Sequence, residues 1–313
     1  MSEKHTELEY YFTPEIDERS CSARFRHSGW AVTRRRVWHA LKRTNQSNSR
    51  LRSFGECGSY AWLEQSNKDT TKFRSRQNNC HDRLCTPCAN ARSIKMRDAL
   101  LSLIGSKPVS FITLTLCGKG EQLNDLVDRI FKHFRALRLH PLWADNVTGG
   151  AAFLEIKHNT KSNRWHPHLH IIADAKFIPQ GELSTVWRTI SHDSFIVDVR
   201  RVKNPDITGH YVTKYASKPL NSSFSNDAPL LDEAVIALKG RRLCTCFGSW
   251  FGTALNSIEE AELELDPVDV DTFHFFADLE SILKRANSGE RDAIAILKLA
   301  GAESLWRASL NSS

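Results

Sequence analysis

The chain has 313 residues, 41% hydrophobic and 25% charged, ordinary proportions for a soluble globular protein with a sizeable core. No apolar run approaches the roughly 20 residues of a bilayer span, and the start, MSEKHTELEYYF, shows no basic-then-apolar leader pattern. Membrane and export classes are therefore set aside and the cytoplasm is expected, where clustered cysteines more often bind metal than form disulfides. The net charge is +7, unevenly spread: from Glu259 onward there are 12 acidic and 5 basic residues, so the first 258 carry 38 basic and 24 acidic. A basic body favours a polyanionic partner, most simply nucleic acid, although charge alone is equally compatible with no such partner.

In chain order, residues 1–30 show no clear period. TRRRVWHALKR (33–43) has helical apolar spacing at Val37, Trp38 and Leu41 with a cationic flank, Arg34, Arg35 and Arg36, which could touch phosphates or form a solvated face. After Pro108, VSFITLTL (109–116) reads as a buried strand. The next segment places Leu123, Leu126, Val127, Ile130, Phe134 and Leu137 on one helix face, closed by Pro141. GGAAFLEIKHN (149–159) and RWHPHLHIIAD (164–174) read as strands joined by the polar turn TKSN. GELSTVWRTIS then reads as a helix, SFIVDVRRV as a strand and DITGHYVTKYASKP as a helix. This order suggests an α+β domain with a mostly antiparallel sheet and helices on one face. The tail carries the acidic run EEAELELDPVDVD (259–271) and two expected helices, around 272–286 and 290–307.

Residues 57–92 hold Cys57, Cys80, Cys85 and Cys88. A Cys-x-x-Cys turn points two thiolates at one tetrahedral metal, and Cys57 and Cys80 could complete a four-sulfur zinc site, with His81 a substitute ligand. Buried thiols without metal are the alternative reading. Arg83 and Arg92 bracket the pair, as a basic rim for DNA phosphate or as ordinary surface arginines. Cys21, Cys117, Cys244 and Cys246 lack a partner set and read as small core residues.

In a strand, residues i and i+2 share a face, so His168 and His170 project together while Leu169 and Ile171 turn to the buried side. Glu155, in the preceding strand, is the natural third ligand if the two strands pair. A His/carboxylate site with open positions suits Mn²⁺ or Mg²⁺ acting on phosphate oxygens. His166 has the same parity, but Pro167 is expected to distort the strand start. In YVTKYASK (211–218), Tyr211 and Tyr215 lie one helical turn apart, each followed at +3 by a lysine, Lys214 and Lys218. Ammonium groups beside tyrosines favour phenolate and phosphate attack; rings packed on the sheet are the structural reading.

FITLTL, HPHLHII and YVTKYASK, in that order, resemble the three motifs of HUH endonucleases, the rolling-circle replication initiators. CG at 57–58 and CHDRLCTPC at 80–88 resemble the cysteine segment that precedes the first motif in plasmid Rep proteins. The resemblance covers roughly residues 30–250. It implies a ferredoxin- or RRM-like sheet of about five strands, with His168, His170 and a carboxylate such as Glu155 holding a divalent metal over a scissile phosphate of single-stranded origin DNA. A tyrosine attacks, leaving a 5′-phosphotyrosyl link and a 3′-OH primer. Tyr215 stands at the usual nucleophile position of plasmid Reps. Tyr211 stands where many of them have glutamate, a departure that is closer to phage initiators and related transposases. No GxxxxGK[ST] loop is present, so unwinding is expected to need a host helicase, and extension a host polymerase.

The expected division is a basic N-terminal region (1–53), a cysteine-rich zinc module (54–95), an endonuclease domain (96–253) and an acidic helical extension (254–313). Two other functions fit less of the pattern. One is a transposase or relaxase on the same fold. The other is a non-catalytic, zinc-containing nucleic-acid-binding protein, against which counts the lack of evident base-stacking aromatics in FITLTL and AFLEIK.

Overall fold

The computed structural model describes residues 31–105, 107–202, 223–253, 255 and 272–310. In chain order the elements begin with α1 (Ala31–Arg43), α2 (Asn48–Glu56), β1 (Ala61–Ser66), β2 (Phe73–Gln77), α3 (Thr86–Ile104) and β3 (Val109–Thr115). There follow α4 (Leu123–Leu139), the short α5 (Pro141–Ala144), β4 (Val147–Asn159), β5 (Arg164–Ala175), α6 (Gln180–Ser191) and β6 (Val197–Val202). The remainder is α7 (Ala228–Ala237), β7 (Cys244–Gly248), β8 (Phe273–Asp278), α8 (Leu279–Asn287), α9 (Arg291–Leu299) and α10 (Glu303–Leu310). The chain divides into two compact units, one from Met1–Cys88 with Glu259–Ser313, the other from Ala89–Ile258.

The second unit is built on a five-stranded antiparallel sheet of order β6-β3-β5-β4-β7. The β4–β5 hairpin sets its register. Asn159 Oδ1 accepts from the backbone N–H of Lys161 (3.0 Å) and Ser162 (3.2 Å), and Asn163 takes a positive φ of 50°. This Asx turn closes the hairpin so that Glu155 stands opposite His168 and Phe153 opposite His170. Gly150 lets the sheet close at the other end: a Cβ there would sit 2.4 Å from the Ile172 carbonyl oxygen and 2.8 Å from the Phe247 ring. Any larger residue would push β5 or β7 away.

On one face Ile112, Leu114, Leu154, Leu169 and Ile171 are buried, and α4 packs on β5 with the apolar stripe expected of it, Leu123 through Leu137. On the other face Met96, Leu100 and Ile104 of α3 cluster with Phe111, Ala151, Phe153 and Ile172. Cys244 and Cys246 pack against that cluster as small core residues. The same face continues past the cluster into the histidines, so one end of it is core and the other end is polar.

The first unit holds a three-stranded antiparallel sheet of order β2-β1-β8. Ala61 and Leu63 pack with Leu279, Ile282, Leu283, Ala286, Ala293 and Leu297. Two sequence expectations change here. Residues 273–278 are a strand rather than the start of a helix, because β1 supplies a ladder partner 200 residues away that no local window contains. The described part of the tail, 272–310, also completes the N-terminal unit rather than standing as a module of its own. The expected boundary at 53/54 thus falls inside the first unit and that at 95/96 inside the second, while that at 253/254 lies close to the division after Ile258.

Arg34 corrects a further expectation. Its side chain is fully buried, with Nη2 donating to the carbonyls of Phe54 (3.0 Å) and Cys57 (3.5 Å) and the guanidinium over the Phe54 ring. It braces α1 against the end of α2 and is not placed to meet DNA; Arg35 and Arg36 on the same helix are exposed. Helical periodicity turns Arg34 inward with Val37, Trp38 and Leu41, a face the cationic run conceals in the sequence.

Candidate active site and cysteine cluster

The two histidines lie on β5, the central strand, flanked by β3 and β4. Their rings are stacked, with centroids 6.1 Å apart and planes 7° from parallel, as i and i+2 on one pleated face require. Behind each ring stands a threonine of β3: Thr115 Oγ1 lies 3.2 Å from His168 Nδ1, and Thr113 Oγ1 lies 3.2 Å from His170 Nδ1. These contacts hold each imidazole by Nδ1 and leave Nε2 as the outward nitrogen, the arrangement of a ligating histidine with its outer support. His170 Nε2 donates to Glu155 Oε2 at 2.8 Å, and Lys157 Nζ is 3.2 Å from the same oxygen.

The electrostatics suit cation binding. Burial acts to raise the Glu155 carboxyl, but the His170 hydrogen bond and Lys157 outweigh it and hold the group down to about 2. Burial, with Lys157 and His170 nearby, pushes His168 down to about 4. At neutral pH the site thus presents an ionised carboxylate and a neutral imidazole, donor types that suit a hard divalent ion, while the ligating atoms of Glu155, His168 and His170 do not all lie within 4.8 Å of one another as they stand. Glu155 and His170 are both buried.

A pH prediction follows. An ordinary histidine binds its proton near pH 6.5 and His168 only near 4, so the unfolded chain binds more protons between those values. Stability falls as pH drops from about 6.5 to about 4, by on the order of 3 kcal/mol. Glu155, with its pKa depressed, contributes stability that is fully present above about 4.5 and is lost as pH falls towards about 2. Urea unfolding of wild type and His168→Asn at pH 7, 5 and 4 checks the first step; equal slopes in the two proteins would contradict it.

Sequence reasoning passed over three neighbours. Thr113 and Thr115 lie within FITLTL, but the motif reading gives them no role, and their place behind the rings emerges from the β3–β5 register. Lys157 has the strand parity of Glu155 and could have been found from it. His166 was set aside because of Pro167, yet β5 runs unbroken through Pro167, with His166 opposite Lys157. Its Nε2 is buried without a hydrogen-bond partner among the described residues. Tyr211, Lys214, Tyr215 and Lys218 lie outside the described residues.

In the first unit the four cysteines meet. Cys57 caps the end of α2, Cys80 follows β2, Cys85 precedes α3 and Cys88 lies in its first turn. Sulfur–sulfur distances are 3.5 Å (Cys57–Cys88), 3.7 Å (Cys80–Cys88) and 3.8 Å (Cys57–Cys85). A tetrahedron with metal–sulfur bonds of about 2.3 Å has edges of about 3.8 Å, whereas a disulfide needs about 2.05 Å. The spacing therefore fits a single four-thiolate ion. Among the described residues this quartet is the group of ligating side chains whose donor atoms all lie within 4.8 Å of one another. Hydrogen bonding within the quartet pushes the Cys80 and Cys85 thiols up while Cys88 falls to about 7. The 80–85 loop is fastened by Arg50, whose Nε and Nη2 reach Asp82 at 2.7 and 3.3 Å, and Asp82 Oδ1 accepts from Leu84 N at 2.8 Å. Arg83 and Arg92 are half-buried rather than fully exposed.

A family profile described as Rep_1, replication protein, matches residues 71–280, about two thirds of the chain. The chain belongs to this family of replication proteins. It is similar to a "Protein rep" of Bacillus amyloliquefaciens, 31% identical over 140 residues, covering 40% of this chain and 41% of that protein. A Bacillus sp "Protein rep" is 30% identical over 140 residues, covering 40% and 46%. One from Streptococcus pneumoniae is 24% identical over 191 residues, covering 50% and 60%. The matches thus span under half the length of the two Bacillus relatives. No solved structure matches. Both candidate ligand sets except Cys57 fall inside the family-matched region, as do Tyr211 and Tyr215. No helix among the described residues is long and apolar enough to cross a membrane.

Proposed function

We propose that this replication protein is a rolling-circle initiator that nicks and rejoins the single-stranded origin DNA of a plasmid-type replicon. The observation that carries the reading is the pair His168 and His170 on the central strand, backed by Thr115 and Thr113 and joined to the ionised Glu155. These three side chains would hold a Mg²⁺ or Mn²⁺ ion, which supplies Lewis-acid polarisation of the phosphate. To ligate through Nε2, a neutral His170 would carry its proton on Nδ1, where Thr113 Oγ1 stands 3.2 Å away to accept it, instead of donating it to Glu155.

The phenolic oxygen of Tyr215 attacks phosphorus, the P–O3′ bond breaks, and a 5′-phosphotyrosine and a 3′-OH result. The phenol proton leaves to solvent or a base, and the departing O3′ takes up one. Lys214 and Lys218 favour the phenolate and offset phosphate charge. Tyr211 serves as the second nucleophile for rejoining. The cysteine quartet holds Zn²⁺. Arg35, Arg36, Arg83 and Arg92 contribute to phosphate binding, and a host helicase and polymerase act on the nicked origin.

The test uses single-stranded DNA from the replicon carrying the gene, with Mn²⁺, and scores a denaturation-resistant protein–DNA adduct. A metal-dependent adduct is expected that Tyr215→Phe diminishes and the Tyr211→Phe/Tyr215→Phe pair abolishes. Binding with neither cleavage nor adduct on any origin fragment would leave the histidines a structural role and defeat the reading.

A further inference from the structure

The three-stranded sheet of the first unit has one face packed on α8 and α9 and an opposite face of unusual composition. Cross-strand partners show which residues share it: Trp62 stands opposite Arg76 and Asp278, Glu64 opposite Arg74 and Phe275, and Ser66 opposite Phe273. Tyr60 stacks on Trp62, with centroids 5.5 Å apart and planes 22° from parallel, and its hydroxyl donates to Asp278. Phe275 is 56% and Tyr60 46% exposed. Rings that a folding core would have taken in are thus displayed on a rigid sheet.

The arginines make the face more than apolar. Arg74 and Arg76 both direct Nε to Glu64 Oε2, at 2.7 and 3.4 Å, and the Arg74 guanidinium lies 3.9 Å over the Phe273 ring. Glu64 therefore fixes two guanidinium planes among the aromatics, while their Nη groups make no hydrogen bond among the described residues. The two guanidinium groups balance the carboxylates of Glu64 and Asp278, and the exposed Lys68 and Lys72 of the β1–β2 hairpin, against Asp69, tip the surface to one positive charge. Exposed ring faces stack on unpaired bases of any sequence, and arginine forks take phosphate; a duplex hides its base faces and cannot use the rings.

We infer that this face is a stacking platform for single-stranded DNA, separate from the histidine site. The choice of DNA rests on the proposed function, which it deepens by naming a surface that holds the strand. Phe111 of β3 and Phe153 of β4 are buried in the core, and the exposed rings stand here instead, on strands that the sequence reading did not resolve.

The experiment is fluorescence anisotropy of full-length protein with a labelled thymine oligomer of about 20 nucleotides and with a duplex of equal length, over a range of salt. Phe275→Ala is expected to weaken single-strand binding about tenfold, with Phe275→Tyr restoring it. Arg76→Ala is expected to weaken it several-fold and to reduce the log–log salt slope by about 0.7, the share of one phosphate contact. Leu299→Ala, an exposed apolar residue on the helical layer, should change nothing. Circular dichroism and size-exclusion chromatography accompany each variant. Unchanged affinity in Phe275→Ala and Arg76→Ala, equal losses on duplex, or a changed oligomeric state with intact DNA binding would each overturn the inference. Adduct formation at saturating DNA is scored separately, so failure of nicking with these binding losses intact would sink the nickase reading and leave the platform standing.

Discussion

Replacing His170 with alanine is expected to lower the rate of Mn²⁺-dependent adduct formation by two to three powers of ten. The substitution removes a donor nitrogen and also takes away a hydrogen bond that helps keep Glu155 ionised, while Lys157 stays beside it. Loss of a several-kcal/mol electrostatic contribution at a scissile phosphate corresponds to that range of rates. The cost to folding is smaller, about 1–3 kcal/mol for a buried hydrogen-bonded side chain, and a folded variant should be recoverable. Glu155→Gln separates the roles: it keeps a side chain that can bond His170 but removes the charge, so its main effect should be a higher Mn²⁺ requirement. Measuring adduct rate against Mn²⁺ for wild type, His170→Ala and Glu155→Gln, with circular dichroism alongside, decides the matter. A His170→Ala protein that is folded and forms adduct at the wild-type rate would remove these residues from catalysis.

Stripping the metal from the cysteine quartet is expected to unfold the first unit. The four thiols join the end of α2, the loop after β2 and the start of α3, and Cys57, Cys85 and Cys88 are buried. Zinc binding in small four-ligand sites is worth about 10–16 kcal/mol, comparable with or larger than the about 5–15 kcal/mol net stability of a typical domain. Close thiols without a cation also compete for protons, as the raised Cys80 and Cys85 and lowered Cys88 indicate. Purified protein should contain one zinc per chain by atomic absorption. A strong chelator, or Cys85→Ser, should lower the melting temperature sharply and expose residues 31–88 to protease first. Zinc-free protein with an unchanged melting curve would show that the quartet is a cluster of core thiols.

Much of the second unit was legible in the sequence because its signals are local. The stripe of α4 from Leu123 to Leu137, the β-branched run of β3 and the i, i+2 parity of His168 and His170 all lie within short windows, and Asn159 and Asn163 mark the hairpin that pairs Glu155 with His168. Parity also pointed to His166, and overweighting Pro167 set it aside. The burial of Arg34 was hidden by its neighbours Arg35 and Arg36, since three arginines in a row read as one cationic surface until the helix turns one of them inward.

What the sequence by itself determined is the chemistry on offer: two imidazoles on one strand face, a carboxylate on its hairpin partner, and a cysteine set spaced for one ion. Only the tertiary structure decided which distant residues meet them. The threonines behind each ring, the closing of Cys57 on Cys88, and the pairing of β8 with β1 depend on contacts between segments from about 30 to more than 200 residues apart. Such contacts are chosen by how well whole faces pack and pair once the chain has folded, and no periodicity within a short window records that choice.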